Sequence, residues 1–463
     1  MGHLSPFEWL ALAEHELLLF AGAFFLLGAI DEFAVDLTWI WLRLTGRVRT
    51  RAISRAALAA RPLSGRAAVL IPAWQEAEVI EFTVAHALAA WPHRELRIFV
   101  GCYANDPDTA DAARRGAAGD PRVHVIVHDH NGPTTKADCL NNLYAALERD
   151  ELRCGYHARM VVLHDAEDMV DPVALALFDQ ALDDAEFLQL PVLPEVQATS
   201  RWVGSHYCDE FAEDHGKTML VRQALAAAVP SAGVGCAIAR PVLRVMAAGG
   251  DGPFSVESLT EDYELGLRIK AAGGRTRFLR ARGEDGRLVA TRACFPGTVR
   301  QAVRQKARWI HGIALQGWDR LGWQGGIGER WMRLRDRRGP LTALVLFTGY
   351  VLLILAVTVW TFGLLGLLPA WRSDPLLEAL LVANMLSLVW RLGMRFGFTA
   401  QEYGWREGVR AMPRVVVSNY IAILAGRRAM FAYARTLLGA KPEWDKTHHD
   451  AHPLMALQQT PPR

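Results

Sequence analysis

The run Leu341–Leu368 contains no charged side chain and exceeds the roughly 20 apolar residues that cross the hydrocarbon core of a bilayer as a helix. It predicts a membrane span. Leu376–Trp390 is shorter and carries Glu378 near its start, but it follows a Trp371-Arg-Ser-Asp-Pro375 turn and reads as the returning half of a hairpin. Near the N-terminus Leu17–Ile30 is apolar, Asp31, Glu32 and Asp36 interrupt, and Leu37–Leu42 restores the apolar character. Acids within a membrane helix are costly and need partners. Glu8, Glu14 and Glu16 stand where a secretory signal would carry basic residues, and no small-residue cleavage site follows, so this segment is expected to remain uncleaved.

Arg43, Arg47, Arg49, Arg51 and Arg55 follow the first apolar segment, and Arg330, Arg333, Arg335, Arg337 and Arg338 precede the second. The basic flanks place the middle of the chain on the cytosolic side of a bacterial inner membrane. Arg391 and Arg395 mark the same side beyond the hairpin. Val409–Gly426 has Arg406, Arg410 and Arg414 before or at its start and Arg427 and Arg428 after it, which predicts a helix lying in the interface. The chain therefore divides into an N-terminal transmembrane helix (1–45), a basic cytosolic linker (46–66), an α/β domain (67–296), an interfacial amphipathic helix with a basic linker (297–338), a transmembrane hairpin (339–395), interfacial helices (396–430) and a cytosolic C-terminal segment (431–463).

Between the membrane segments the composition is that of a soluble domain. With 51 basic and 49 acidic residues the totals suggest no polyanion-binding surface, and no nucleic-acid partner is expected. The six cysteines form no C-x-x-C pair and read as reduced thiols. Apolar runs at 68–71, 96–100, 123–127 and 160–163 alternate with helical stretches near 76–90, 107–118 and 136–149, the pattern of a mostly parallel sheet covered on both faces. Ligands of such sheets bind beyond the carboxyl ends of the strands.

Polar residues gather at those ends: Pro72-Ala-Trp-Gln-Glu76, Asn105-Asp-Pro-Asp108 and His164-Asp-Ala-Glu-Asp168. Each alone reads equally well as a turn or helix cap. Asp165, Glu167 and Asp168 are candidate ligands of a divalent cation, Mg2+ or Mn2+, whose shell a nucleotide diphosphate would complete. Gly132–Asn142 sets Lys136 at the start of a helix, within reach of a phosphate, followed by Asp138 and Asn141 at spacings that share a face, with Asp138 available for a base or ribose. A solvent-facing lysine beside a capped helix is the alternative. Glu261 and Asp262 stand at the start of another helix, where a general base or a capping box would equally be found. Gln305, Arg308 and Trp309 lie in an Arg-rich helix over Thr298–Gly317, suited either to anchoring on anionic lipid or to holding a sugar and a leaving diphosphate. His128-Asp-His130 and His448-His-Asp-Ala-His452 show no closed four-ligand zinc spacing and read as polar loops.

Taken in order, these elements resemble membrane-bound glycosyltransferase family 2, the group of cellulose, chitin and hyaluronan synthases. Gln305, Arg308 and Trp309 match its Q-x-x-R-W. The resemblance runs from about Ala67 to Trp309 and implies an α/β GT-A domain joined to an α-helical transmembrane region. It implies Glu76 and Asp106 near the uridine, Lys136 and Asp138 in the lysine loop, Asp165 with Glu167 at the metal, and Asp262 as catalytic base beside Glu261. The usual D-x-D has Glu167 in its second acidic place with Asp168 behind it. Ile71–Glu76, Phe99–Pro107, Gly132–Asn142 and Trp444-Asp-Lys-Thr-His448 are further similar to the bacterial phage-adsorption protein B family. Trp444 and Lys446 resemble the element that closes over the diphosphate.

The expected activity is inverting transfer from a UDP-sugar, on the family pattern a UDP-N-acetylhexosamine, to a growing exopolysaccharide or a lipid carrier, with a possible partner for export at the outer membrane. Single addition to a polyprenyl phosphate, and a non-catalytic scaffold or phage-receptor component, are the alternatives.

Overall fold

The computed structural model describes residues 6–250, 252–365 and 375–439, with Pro453. Trp444 and Lys446 lie outside the described residues. The chain opens with one long helix, α1 (Pro6–Leu44). A seven-stranded sheet follows, built from β1 (Arg66–Pro72), β2 (Leu96–Tyr103), β3 (Val123–His128), β4 (Ala158–Leu163), β5 (Phe187–Gln189), β6 (Cys236–Ala239) and β7 (Thr276–Phe278). Its order is β3-β2-β1-β4-β6-β5-β7. All neighbours pair in parallel except β6, which runs antiparallel to β4 and β5.

Strand periodicity accounts for the two-sided core. Val69, Ile71, Met160 and Val162 face one apolar cluster, while Leu70, Val161 and Leu163 face the other. On the second face lies α2 (Lys136–Cys154), capped by the Thr135 hydroxyl, which accepts from the Asp138 amide at 3.2 Å. Gly155 ends that helix at φ +64°, a conformation costly for any residue with a Cβ. Further along come α3 (His206–Glu213), α4 (Glu261–Ala271), α5 (Val299–Trp309) and α6 (Ile327–Arg337). The Arg-rich helix expected over Thr298–Gly317 starts where predicted, with Thr298 as its cap, but its α-helical ladder gives way after Trp309 to wider π-turns over Ile310–Gln316.

Three more long helices follow: α7 (Gly339–Leu364), α8 (Pro375–Tyr403) and α9 (Trp405–Leu437). With α1, four helices among the described residues are long and apolar enough to cross a membrane. Two boundaries differ from expectation. The break expected at 395 falls inside α8, and the stretch read as a separate interfacial helix is the middle of an uninterrupted α9 that continues through Pro413 to Leu437. Arg414, read as a flanking charge, is instead fully buried, donating to Asp209 at 3.0 Å and to the Ser205 carbonyl at 2.7 Å and pairing with Glu407. An arginine paired with two acids can occupy an apolar stretch without ending it.

The acids of α1 find their partners. Asp31 accepts from the Trp331 indole at 2.6 Å and pairs with Arg335 and Arg338. Glu32 pairs with Arg335 at 3.0 Å, with Arg391 at 3.2 Å and with Arg338. Asp36 meets Lys217 at 2.5 Å and the Trp390 indole at 2.8 Å. These contacts join α1 to the basic helix α6, to α8 and to the α/β domain.

Candidate active site

A cavity of about 410 Å3 opens at the carboxyl ends of β1, β2 and β4 and is closed from the far side by α3, α4 and α5. Its lining includes Glu76, Lys136, Asp165, Glu167, Asp168, Glu261, Asp262, Gln305, Arg308 and Trp309. Residues from Pro72 to Asp336 thus share one chamber. Asp106 and Asp138, expected at the nucleotide, do not line it. Asp106 supports the wall instead: its Oδ2 accepts from the Gln75 amide at 2.6 Å and holds Gln75 at φ +53°. The Asp138 carboxylate sits 3.0 Å from the His130 ring.

The wall beside the lysine loop is aromatic. Trp74 meets Tyr103 edge-on at 5.1 Å, and Gly132 lies so close that an added Cβ would stand 2.6 Å from the Trp74 ring. Asn105 fastens this loop by accepting from the Gly132 amide and donating to its carbonyl, both at 2.8 Å. Lys136, in the first turn of α2, reaches across to Asp165 at 2.5 Å. Burial disfavours its charge, but the carboxylates of Asp165, Glu261 and Asp262 more than offset that and keep its proton well above the ordinary lysine range.

The acids after β4 divide. The Asp168 carboxylate is committed inward: its Oδ2 accepts from the Asp165 amide at 2.9 Å and lies 3.0 Å from His164 Nδ1. Asp165, paired with Lys136, and Glu167 also line the cavity and offer carboxylate oxygens. Such a set suits a hard divalent cation.

Glu261 and Asp262 open α4, and the capping alternative is not what forms there: Thr260 makes no side-chain cap bond, and the Glu264 carboxylate accepts from the Ser258 hydroxyl at 2.8 Å. Asp262 Oδ1 accepts from the Tyr263 amide at 2.7 Å. Gly233, at φ +77°, packs directly on the Asp262 carboxylate, where an added Cβ would collide with it. Burial, and then the neighbouring Asp262, push Glu261 up to about 7 against the pull of Lys136 and Arg308. Asp262 is also raised, chiefly by burial, with the same two cations opposing. Such a pair retains a proton near neutral pH, the range in which a carboxylate is an effective base.

On α5, Gln305 Oε1 and Arg308 Nε are buried with no hydrogen-bond partner among the described residues. Trp309 stands edge-on to Tyr207 at 6.2 Å and beside Phe211. The π-turns begin at the next residue and bring Gly312 against Thr260, tying α5 to the start of α4. Widened turns of this kind recur at functional sites. Several residues in or beside the lining carry no signal noted in the sequence. Gly233 and Gly235, both at positive φ, could have been flagged as a Gly-x-Gly loop. Trp74 and Tyr103 lay within motifs noted for their acids. Arg222, bound by both oxygens of Asp336 at 2.8 and 2.7 Å, had no local signal because the pair is 114 residues apart.

Residues 65–312 match the family model described as "Glycosyltransferase like family 2". The chain belongs to this family. It is 33% identical over 450 residues to the bacteriophage adsorption protein B of Escherichia coli K12 and, equally, to the bacteriophage N4 adsorption protein B of Escherichia coli O157:H7. The alignments cover 92% of this chain and 60% of each relative, so the chain spans about three-fifths of their length. Among solved structures, a mannosyltransferase, PcManGT from Pyrobaculum calidifontis in complex with GDP-Man and Mn2+, superposes with a TM-score of 0.56 at 15% identity, over 89% of this chain and 99% of that one. The α/β domain has the GT-A fold of the family.

Proposed function

We propose that this family member transfers a sugar with inversion from a nucleotide diphosphate sugar to an acceptor at the cytosolic face of a bacterial inner membrane, with Asp262 as the base. The observation that carries the reading is the proton-retaining Glu261–Asp262 pair in the same cavity as Lys136, Arg308 and the unpartnered Gln305 amide oxygen. Asp262 takes the proton of an acceptor hydroxyl as that oxygen bonds to the anomeric carbon. The bond from that carbon to the diphosphate breaks, and its electron pair leaves on the nucleoside diphosphate. Lys136 and Arg308 supply positive charge where the departing group carries its negative charge. Asp165 and Glu167 would hold a divalent cation, Mg2+ or Mn2+, which when bound neutralises the diphosphate. Asp168 would set the loop that presents them.

The aromatic wall of Trp74 and Tyr103 suits a nucleobase, and Trp309 with Phe211 suits a sugar face. The family resemblance favours UDP-N-acetylhexosamine as donor. GDP-Man belongs beside it in any trial, because the PcManGT structure holds that donor. Four apolar helices, with α6 and the arginines around α1 at one end, support a multi-pass protein with its α/β domain on the cytosolic side. A membrane-bound acceptor, either a growing exopolysaccharide passed to an outer-membrane partner or a polyprenyl phosphate, fits that placement.

Release of nucleoside diphosphate from a panel of UDP-sugars and GDP-Man, by the purified chain in lipid with Mg2+ or Mn2+, tests the reading. Turnover lost in Asp262→Asn supports it and names the donor. No turnover with any donor, even with cell membranes supplying acceptor, favours a scaffold or phage-receptor role. Product length separates single addition from polymer growth.

A further inference from the structure

Outside the cavity, at the edge of the sheet, the fold brings together three metal-ligating side chains from two elements. His128 ends β3, His130 follows it in the loop, and Asp138 projects from the first turn of α2. One ligand atom from each lies within 4.8 Å of the others, and His130 Nε2 is 3.0 Å from Asp138 Oδ2. A tetrahedral ion with bonds of about 2.1 Å separates its ligands by about 3.4 Å. The three donors therefore need only small adjustments to enclose one.

The His128 ring is already held. It stacks on Tyr103 at 4.4 Å and 7° between planes. Its Nδ1 lies 2.9 Å from the Asn142 amide nitrogen, and its Nε2 lies 3.2 Å from Cys139 Sγ. With Nδ1 turned to an ion in place of its contact with the Asn142 amide, the Nε2–H still has Cys139 Sγ to accept it, the outer contact that a metal-binding imidazole requires. The spacing of the two histidines alone suggested only a polar loop. The missing ligand comes from the next helix, eight residues beyond His130.

We propose that His128, His130 and Asp138 form a binding site for a transition-metal cation of the Zn2+ class, with water in the fourth position. The site is distinct from the carboxylates at Asp165 and Glu167. Imidazole nitrogen favours Zn2+, Co2+ or Ni2+, whereas an all-oxygen set favours Mg2+ or Mn2+. A bound ion would cross-link the β3–α2 loop to α2 beside Trp74, and so stiffen the rim of the cavity without entering it.

The test uses the full-length chain without a polyhistidine tag, with His448, His449 and His452 replaced by alanine to remove tail binding. Excess Mg2+ is present to occupy oxygen-only sites. Titration with Co2+ should give one equivalent of visible ligand-field absorption, displaced by Zn2+, and Zn2+ should raise the melting temperature. His130→Ala and Asp138→Asn should each weaken binding by about 10-fold or more. The half-exposed His130 position makes its variant a mild change, and melting without metal verifies its fold. Absence of the visible bands, or binding that neither variant changes, overturns the proposal. None of these readouts depends on glycosyl transfer.

Discussion

Two groups of buried acids sit in the same molecule under opposite electrostatic regimes. On α1, Asp31, Glu32 and Asp36 face Lys217, Arg335, Arg338 and Arg391, and each acid is held by at least one cation or indole N–H. In the cavity, Asp165, Glu167, Glu261 and Asp262 share Lys136 and Arg308. The first group has at least one cation for every acid, and its ion pairs fasten the apolar helix to the α/β domain. The second has more acids than cations, so burial raises both Glu261 and Asp262 and favours a proton held within the pair. The same residue types serve as a fastening where charge is matched and as candidate acid–base groups where it is not.

The largest expected effect lies on the unmatched side. Asp262→Asn should lower turnover by about 100- to 10,000-fold while leaving the melting temperature near that of the parent; comparable losses in both would make Asp262 a structural group like those on α1. On the matched side, Lys217→Met strips a central cation from Asp36, Glu213 and Glu32, and should cost about 3–5 kcal/mol of stability. Thermal unfolding in detergent measures this, and adding Asp36→Leu should recover part of the loss. If Lys217→Met unfolds no earlier than the parent, the fastening role fails.

A smaller effect is expected from pH. Glu261 rises from 4.5 to about 7 in the folded chain. For a carboxyl raised on folding, the stabilisation is complete below pH 4.5 and is lost as pH climbs through about 7. Melting temperature should therefore fall more steeply between pH 5 and pH 8 in the parent than in Glu261→Gln, and parallel slopes would show that the pair carries no retained proton. The smallest effect is expected from Arg338→Gln. Arg335 already contacts the same two acids and Arg338 is partly exposed, so the change should cost about 1 kcal/mol or less in the same unfolding assay.

Much of this architecture was legible in order along the chain. Continuous apolar strands leading into the loops at Pro72, Asn105 and His164 announced a covered parallel sheet and the edge where its loops would meet, because a strand buried on both faces leaves only its ends for polar groups. The charge-free run from Leu341 announced a membrane segment for an equally local reason. Acids on α1 declared a need for partners without saying which. Asp106 and Asp138 had the right residue type in the right loops, yet the structure uses one to brace Gln75 and the other beside His130. A motif fixes where the backbone passes but not which way a short side chain turns once its neighbours compete for it.

Sequence alone determined the first four strands with the helices between them, the two-faced core and the candidate loops, since those follow from periodicity and propensity within a few residues. Tertiary structure alone decided that Arg414 is a buried partner of Asp209 and Glu407, that Asp168 braces Asp165, that burial raises Glu261 and Asp262, and that Asp138 joins His128 and His130. These outcomes depend on burial and on charges contributed by residues distant in the chain. Energies of that kind belong to the assembled fold and have no counterpart in local spacing.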